Sequence, residues 1–363
     1  MNFIFGYGYF GRAVSQAMKA RGLSFQFVDT YYDGPELADG TVVRPSDVQV
    51  GPQDSLWLTA YAQPTSASRE TVTRKAVEAM SPATIYELNE ISRRLPEVWR
   101  ILVADGFMWR SATAQTVAPL WDAARAAAIR PYFYDDESRA LFDRIERFRA
   151  EPMFDTYPWP TTGPQYFAVG NSDGDLFRHS DVQMLDIGAF DGDTLRDAHR
   201  VLGKKLRRYV GFEPMQNSFA AVKKSIAAIE GDLPDFSGVA FKNATGSAPA
   251  VVHFSNQGSA STQGEGAAGM SERVEIVRLD DVEACAGTTF LKMDIEGGEM
   301  ETLLGAEALL TEHRPSCAIA VYHRADDLWK MPEFFLERFP DARFSLRQHH
   351  HWGLELVLYV SLQ

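Results

Sequence analysis

The sequence predicts an α/β protein with two parallel-sheet domains. Two segments carry that prediction, because in each an apolar strand runs into a glycine turn and then into a helix. They are FIFGYGYFG at residues 3–11 and LDIGAFDGDT at residues 185–194. A third observation agrees: 363 residues exceed one ordinary domain and fit about two.

In the first half, FIFGYG reads as a buried strand and turn, and FGRAVSQAMKARG as an amphipathic helix ended by Gly22. FQFVDT and SLWLTAYA read as further strands, and SASRETVTRKAVEAM as a helix with serines at its start. This βαβ rhythm implies a parallel sheet. Residues 84–150 read as mainly helical, and Leu141, Phe142, Ile145 and Phe148 fall on one helical face that suits packing. Pro152, Pro158, Pro160 and Pro164 then crowd a short stretch, which excludes regular helix and marks a linker. The expected domains are therefore 1–90, Rossmann-like; 91–150, a helical extension; 151–165, the linker; and 166–363, the second α/β domain.

In that last domain, VQMLDIGAFDGDT, RRYVGFEP, VAFKNATG, TTFLKMDIEGG and SCAIAVYH read as strands running into turns, separated by helical segments. FSLRQHH and LELVLYVSL read as closing strands, and SNQGSASTQGEGAAG, residues 255–269, as a mobile loop too rich in Gly and Ser for a strand.

Composition narrows the function. The 36 basic and 49 acidic residues leave a net charge of −13, which counts against nucleic acid as a partner. The one tight basic cluster, Lys204, Lys205, Arg207 and Arg208, reads as a solvated helix end. Two cysteines, Cys285 and Cys317, make no disulfide framework or zinc spacing and read as buried thiols. With no apolar run long enough to span a bilayer and no basic leader before the first glycine turn, the expectation is a cytoplasmic protein acting on a small molecule.

The chemistry concentrates at three places. Asp186 ends the first strand of LDIGAFDGDT, and Gly188 and Gly192 bracket a turn around Ala189 where a cofactor backbone approach needs no side chain. Glu213, followed by Pro214, ends the next strand, where an acid can accept both hydroxyls of a ribose. Asp294 and Glu296 follow the strand in FLKMDIEGG, at the sheet edge where open α/β sheets bind ligands.

In order, LDIGAFDGDT, GFEP, KNATG, VRLDDV, FLKMDIEGGEMETLLGA, IAVYHRADDLW and LRQHH with LVLY resemble the FkbM family of S-adenosylmethionine-dependent methyltransferases over nearly all of the second half. The resemblance implies a seven-stranded class I methyltransferase sheet with one antiparallel strand near its end, and O-methylation of a hydroxyl, here on a sugar or sugar-containing molecule. It also implies cofactor contacts from Asp186, Gly188, Ala189, Gly192, Glu213, Pro214, Asn243, Ala244, Asp294 and Glu296. Gly298 stands where the family often has alanine, and Gln348-His349-His350 departs from its pattern, which leaves the acceptor open.

An alcohol acceptor needs a base. His323, at the end of its strand, and Asp294 are the candidates, with Asp294 as the base itself or as the group orienting His323. Asp294, Glu296, His323, Asp326 and Asp327 have donor chemistry for a divalent ion, but no diagnostic spacing, so no metal is expected. The run His349-His350-His351 reads as a polar loop entrance.

The N-terminal Gly6, Gly8 and Gly11, with Asp29 at the next strand end, form a G-x-G-x-x-G arrangement for NAD(P), a nucleotide-sugar or nothing. A rival function is therefore an oxidoreductase or epimerase run by this domain. A third is a non-catalytic nucleotide-binding protein.

Overall fold

The computed structural model describes residues 1–32, 42–51, 53–60, 67–82, 84–104, 121–150, 163–168, 179–255, 262–263, 271–350 and 355–362. Two compact units emerge. One comprises Met1–Asp122, Phe142–Pro160 and His350–Leu354, and the other Ala123–Leu141, Thr161–His349 and Glu355–Gln363.

The first unit is built on five parallel strands: β1 (Asn2–Phe5), β2 (Phe25–Val28), β3 (Val42–Val43), β4 (Ser55–Leu58) and β5 (Thr84–Tyr86). Their spatial order is β3-β2-β1-β4-β5, that of a doubly wound nucleotide-type sheet. Helix α1 (Tyr9–Ala20) buries Phe10, Ala13, Val14, Ala17 and Met18, a spacing that lays one apolar stripe on the sheet. Helices α2 (Ala67–Met80), α3 (Leu88–Arg94) and α4 (Glu97–Ala104) follow. The three strands and two helices expected from sequence are present. Two strands were not expected: β3 is only two residues long, and β5 falls where the pattern read as helix. The strand residues of β5 pair with Ser55–Trp57, so sheet pairing overrode a weak local signal.

Helix α5 (Ala123–Ile129) and helix α6 (Asp136–Ala150) come next, and the helical stretch expected at 91–150 is shared between the units. The apolar face of α6 is buried: Phe142 meets Trp121 and Phe148 meets Trp99, each within the first unit. Residues before it are held in the second unit. Phe133 bridges Phe344, and Asp135 accepts hydrogen bonds from Ser345 Oγ at 2.9 Å and Arg347 at 3.2 Å. The proline-rich linker lies outside the described residues from 151 to 162.

The second unit contains β6 (Val182–Ile187), α7 (Asp193–Leu202), β7 (Leu206–Phe212), α8 (Gln216–Asp232), β8 (Ser237–Phe241), β9 (Ala244–Thr245), β10 (Ala250–Ser255), β11 (Thr262–Gln263) and β12 (Ser271–Val277). It continues with β13 (Phe290–Met293), α9 (Glu299–Leu304), α10 (Glu307–His313), β14 (Ser316–Ala320), α11 (Asp327–Arg338), β15 (Arg343–Gln348) and β16 (Leu356–Ser361). Seven strands form the main sheet in the order β15-β16-β14-β13-β6-β7-β8. Only β16 runs against its neighbours β14 and β15, so the implied single reversed strand is observed. The central strands β6, β13 and β14 are buried almost continuously, as strands covered on both faces must be.

A second, four-stranded sheet of β11, β10, β12 and β9 was not expected. Thr262 and Gln263, inside the segment read as a loop, pair with Ser255 and Phe254. Residues 256–261 and 264–270 of that segment lie outside the described residues. Among the described residues no helix is long and apolar enough to cross a membrane.

Candidate active site

The strand order of the second unit aligns the expected residues along one edge. Moving across the sheet through β8, β7, β6, β13 and β14, the residues just past each carboxyl end are Asn243, Glu213, Gly188, Asp294 and His323. The reversed strand β16 begins at this same edge, so Glu355, immediately before it, joins the row. Ligands of open α/β sheets bind at such an edge.

The turn after β6 is packed as tightly as backbone allows. Gly188 has φ +82°, and a Cβ there would lie 1.9 Å from the carbonyl oxygen of Asp294. Its N–H and that of Ala189 both donate to the Phe212 carbonyl at 3.0 Å, and Gly192 caps α7. Beneath the turn sits a charge pair. Lys292 Nζ is 3.1 Å from Asp186 Oδ1 and donates to the Gly188 carbonyl at 2.6 Å. Tyr209 donates to Asp186 Oδ2 at 2.9 Å. Asp186 is wholly buried, so its carboxylate faces the lysine and the tyrosine below the turn.

Glu213 holds the turn from the side. Its Oε2 accepts the N–H of Phe190 at 2.9 Å and its Oε1 that of Met215 at 2.9 Å. Burial favours the neutral acid and outweighs those two donors, so its pKa is pushed up to about 7. Each oxygen keeps a lone pair for a further donor. Asn243 donates to the Glu275 carbonyl at 3.2 Å, and Ala244 pairs with Ile276 in the small sheet.

Beyond β13 and β14 lies an acidic cluster around one imidazole. His323 Nδ1 is 2.8 Å from Glu299 Oε1, which also accepts the Ile295 N–H at 3.0 Å. On the other side of the ring, Nε2 lies 3.4 Å from Asp294 Oδ1 and 3.3 Å from Glu296 Oε2. Glu296 takes a left-handed φ of +63°, the bend that turns its side chain back toward this strand end. Burial disfavours the charged imidazole, but Glu299, Asp294 and Glu296 together prevail and hold the His323 pKa up at about 10. Tyr166 donates to Asp294 Oδ2 at 2.6 Å, Gln165 donates to Tyr166 at 3.0 Å, and Gln165 also donates to Glu355. Asp294 and Glu355 are thus linked through two side chains. Burial, with the nearby Asp294 charge, pushes the Glu355 pKa up to about 7.

Asp326 and Asp327 do not join this cluster as direct ligand-type neighbours. Asp326 pairs with Lys330, and Asp327 Oδ2 accepts the Arg324 N–H at 2.8 Å. His349 is engaged with the Tyr359 hydroxyl at 2.9 Å, and burial lowers its pKa to about 4. His351 lies outside the described residues. In the basic cluster, Arg207 pairs with Asp181 and Asp235, and Arg208 donates to the Ala284 and Ala286 carbonyls. Cys285 and Cys317 are buried free thiols.

In the first unit, Asp29 supports the glycine turn much as Glu213 does. It accepts the N–H of Tyr7 at 2.8 Å, of Tyr31 at 2.7 Å and of Tyr32 at 3.1 Å. A Cβ on Gly11 would lie 1.9 Å from the Gly6 carbonyl, and one on Gly6 2.9 Å from the Ala60 nitrogen. On Gly8 it would meet nothing within 4 Å.

Lys292, Glu299, Glu355, Tyr166 and Gln165 escaped the sequence reading. Lys292 had a signal, since a charge inside the otherwise apolar FLKM demands a buried partner. Tyr166 and Gln165 carried none, because they end a proline-rich stretch that reads as linker.

A seven-stranded sheet with one reversed strand near its edge and acidic residues along a single carboxyl edge is the build of an α/β methyltransferase. Residues 186–351 match the methyltransferase FkbM domain. A methyltransferase FkbM from Methylobacillus flagellatus KT shares the fold, with a TM-score of 0.69 at 18% identity, covering 99% of this chain and 89% of that one. A putative rRNA-methylase from Clostridium thermocellum aligns at a TM-score of only 0.29 and 8% identity, covering 50% of this chain and 88% of that one. No curated protein matches the chain significantly.

Proposed function

We infer that the second unit transfers a methyl group from S-adenosylmethionine to a hydroxyl of a small acceptor, a sugar or sugar-containing molecule. The observation that carries this is the row of Asn243, Glu213, Gly188 and Asp294 on one sheet edge. The residues suit the cofactor. Gly188 leaves a cradle that a side chain would close, and Glu213 has acceptor capacity left for a ribose diol. Gly188, Ala189 and Gly192 would border the amino-acid part and Asn243–Ala244 the adenine, with Pro214 shaping the turn after Glu213. Asp186 acts from below by holding Lys292 against the turn. When bound, the cofactor supplies a methyl group already activated on a sulfonium.

The rest falls to the protein. Asp294 and Glu296 face the acceptor side of the edge and orient its hydroxyl, an alignment worth on the order of 7–11 kcal/mol in favourable cases. His323 carries its own proton at neutral pH, since three carboxylates hold it there. The base role expected of it therefore passes to a carboxylate. Glu355, poised at about 7 and linked to Asp294 through Tyr166 and Gln165, takes the hydroxyl proton. The net charge of −13 favours a small acceptor over nucleic acid.

Calorimetry with S-adenosylhomocysteine tests the reading: binding by the wild type and its loss in Glu213→Ala support it, whereas no binding by the wild type overturns it. The pH dependence gives a finer check. Below about 7 Glu213 is protonated, and a ribose diol that donates two hydrogens prefers the carboxylate. Affinity should rise with pH by up to about tenfold per unit until it levels above 7. Glu213→Gln should flatten that rise. The same raised pKa makes this residue's contribution to stability fall as pH climbs from its ordinary value of 4.5 toward about 7, because the folded state then holds the proton more tightly.

A second reading, a nucleotide site in the first unit, is favoured by the open space at Gly8 beside the Asp29-held turn. NAD(P) and nucleotide-sugars in the same calorimetry test it, and heat from either, lost in Asp29→Ala, would establish it.

A further inference from the structure

We propose that Asp294, Glu296 and His323 Nε2 form a binding site for one divalent cation, with Glu299 orienting the imidazole. Asp294, Glu299 and His323 each bring a donor atom within 4.8 Å of one another. The residue is 3% exposed and its ring cannot turn away, and Glu299 takes its Nδ1 at 2.8 Å. That bond directs Nε2 at two carboxylates. Yet Nε2 makes no hydrogen bond among the described residues, although Asp294 Oδ1 and Glu296 Oε2 are 3.4 and 3.3 Å away. An imidazole nitrogen facing two carboxylates needs a positive charge between them, its own proton when the site is empty or a cation that displaces that proton.

The spacing fits a metal ion. Bonds of about 2.0–2.2 Å to nitrogen and oxygen place neighbouring ligands roughly 3.0–3.4 Å apart. Glu299 behind the ring supplies the carboxylate–histidine–metal arrangement that fixes tautomer and direction. Glu299 Oε2 is a second buried polar atom with no hydrogen bond in the same cluster, so the local excess of negative charge is not consumed internally. One imidazole with carboxylates suits Mn²⁺ and its neighbours, including Mg²⁺ at lower affinity.

The site is open on one side. Side chains of Asp294 and Glu296 are 19% and 22% exposed, while His323 forms the floor at 2%. Remaining coordination positions thus face the acceptor region. If the methyl-transfer reading holds, on which this role rests, the cation takes an acceptor bearing two adjacent oxygens, such as a vicinal diol or hydroxy acid, and acidifies the hydroxyl it binds.

The test is a Mn²⁺ titration of the full chain, stripped with chelator and followed by the paramagnetic resonance signal of free Mn²⁺. The expected result is uptake of one ion per chain, abolished in His323→Ala and weakened roughly 10–100-fold in Glu299→Gln. Should His323→Ala fail to fold by circular dichroism, Glu296→Gln, altered at a partly exposed side chain, takes its place with the same loss expected. Undiminished free Mn²⁺ in the presence of wild type, or equal uptake by the variants, overturns the proposal. S-adenosylhomocysteine calorimetry on the same samples separates the two claims. Donor binding without Mn²⁺ uptake removes the metal site alone. Mn²⁺ uptake without donor binding keeps the site and removes its role in methyl transfer.

Discussion

Replacing Glu355 with glutamine is expected to lower kcat roughly 10²–10⁴-fold while leaving S-adenosylhomocysteine affinity unchanged. Glutamine keeps the shape of the side chain, and its amide oxygen can still accept from Gln165, but it cannot take a proton. The wild-type rate should rise with pH through about 7, where Glu355 ionises, and the variant should lose that limb. Methyl-transfer rates of the wild type and variant against the same hydroxyl acceptor decide the matter. A variant with full kcat would remove Glu355 from the chemistry and return the proton to Asp294. Removing Tyr166, as Phe, offers a related check, because the hydroxyl bonded to Asp294 at 2.6 Å is the middle of the link between the two acids.

The second large effect concerns stability. Lys292→Met is expected to destabilise the chain by about 3–5 kcal/mol, since it strands the Asp186 carboxylate in the core. Lysine and aspartate side chains here are 4% and 0% exposed, so water cannot replace the lost partner. The methionine also leaves the Gly188 carbonyl without its 2.6 Å donor, and the glycine turn should loosen with it. Combining the change with Asp186→Asn removes the stranded charge and should restore a large part of the loss in a denaturant melt. A single variant as stable as the wild type would show that the pair is dispensable, and with it the account of how the turn is held.

Most of the parallel strands were legible in the sequence because each is a short apolar run closed by a glycine, a polar residue or an acid, whereas β3 and β5 were not. Asp186, Glu213 and Asp294 stood out as candidates because each is an acid at the end of a buried strand. What stayed hidden depends on distant partners. Glu299 was not singled out in the sequence, and only the fold sets it 2.8 Å from His323. Glu355 sat unremarked near the start of LELVLYVSL, read as a closing strand, and acquires meaning because β16 runs backwards and starts at the edge where β14 ends. In the small sheet β9 and β11 are two residues each, too short for any periodicity, while the longer β10 and β12 were not singled out. Asp29 was expected as the ribose partner if its turn holds a nucleotide, and the spacing did not reveal that its two oxygens also accept three backbone N–H groups.

The central claim is that Glu213 grips the sugar of a methyl donor, and a crystal structure with S-adenosylhomocysteine tests it most directly. The account predicts density for the ligand over the Gly188–Gly192 turn, with both ribose hydroxyls within about 3 Å of the Glu213 carboxylate. Ligand found elsewhere, or a fully soaked crystal with that turn empty, would contradict it.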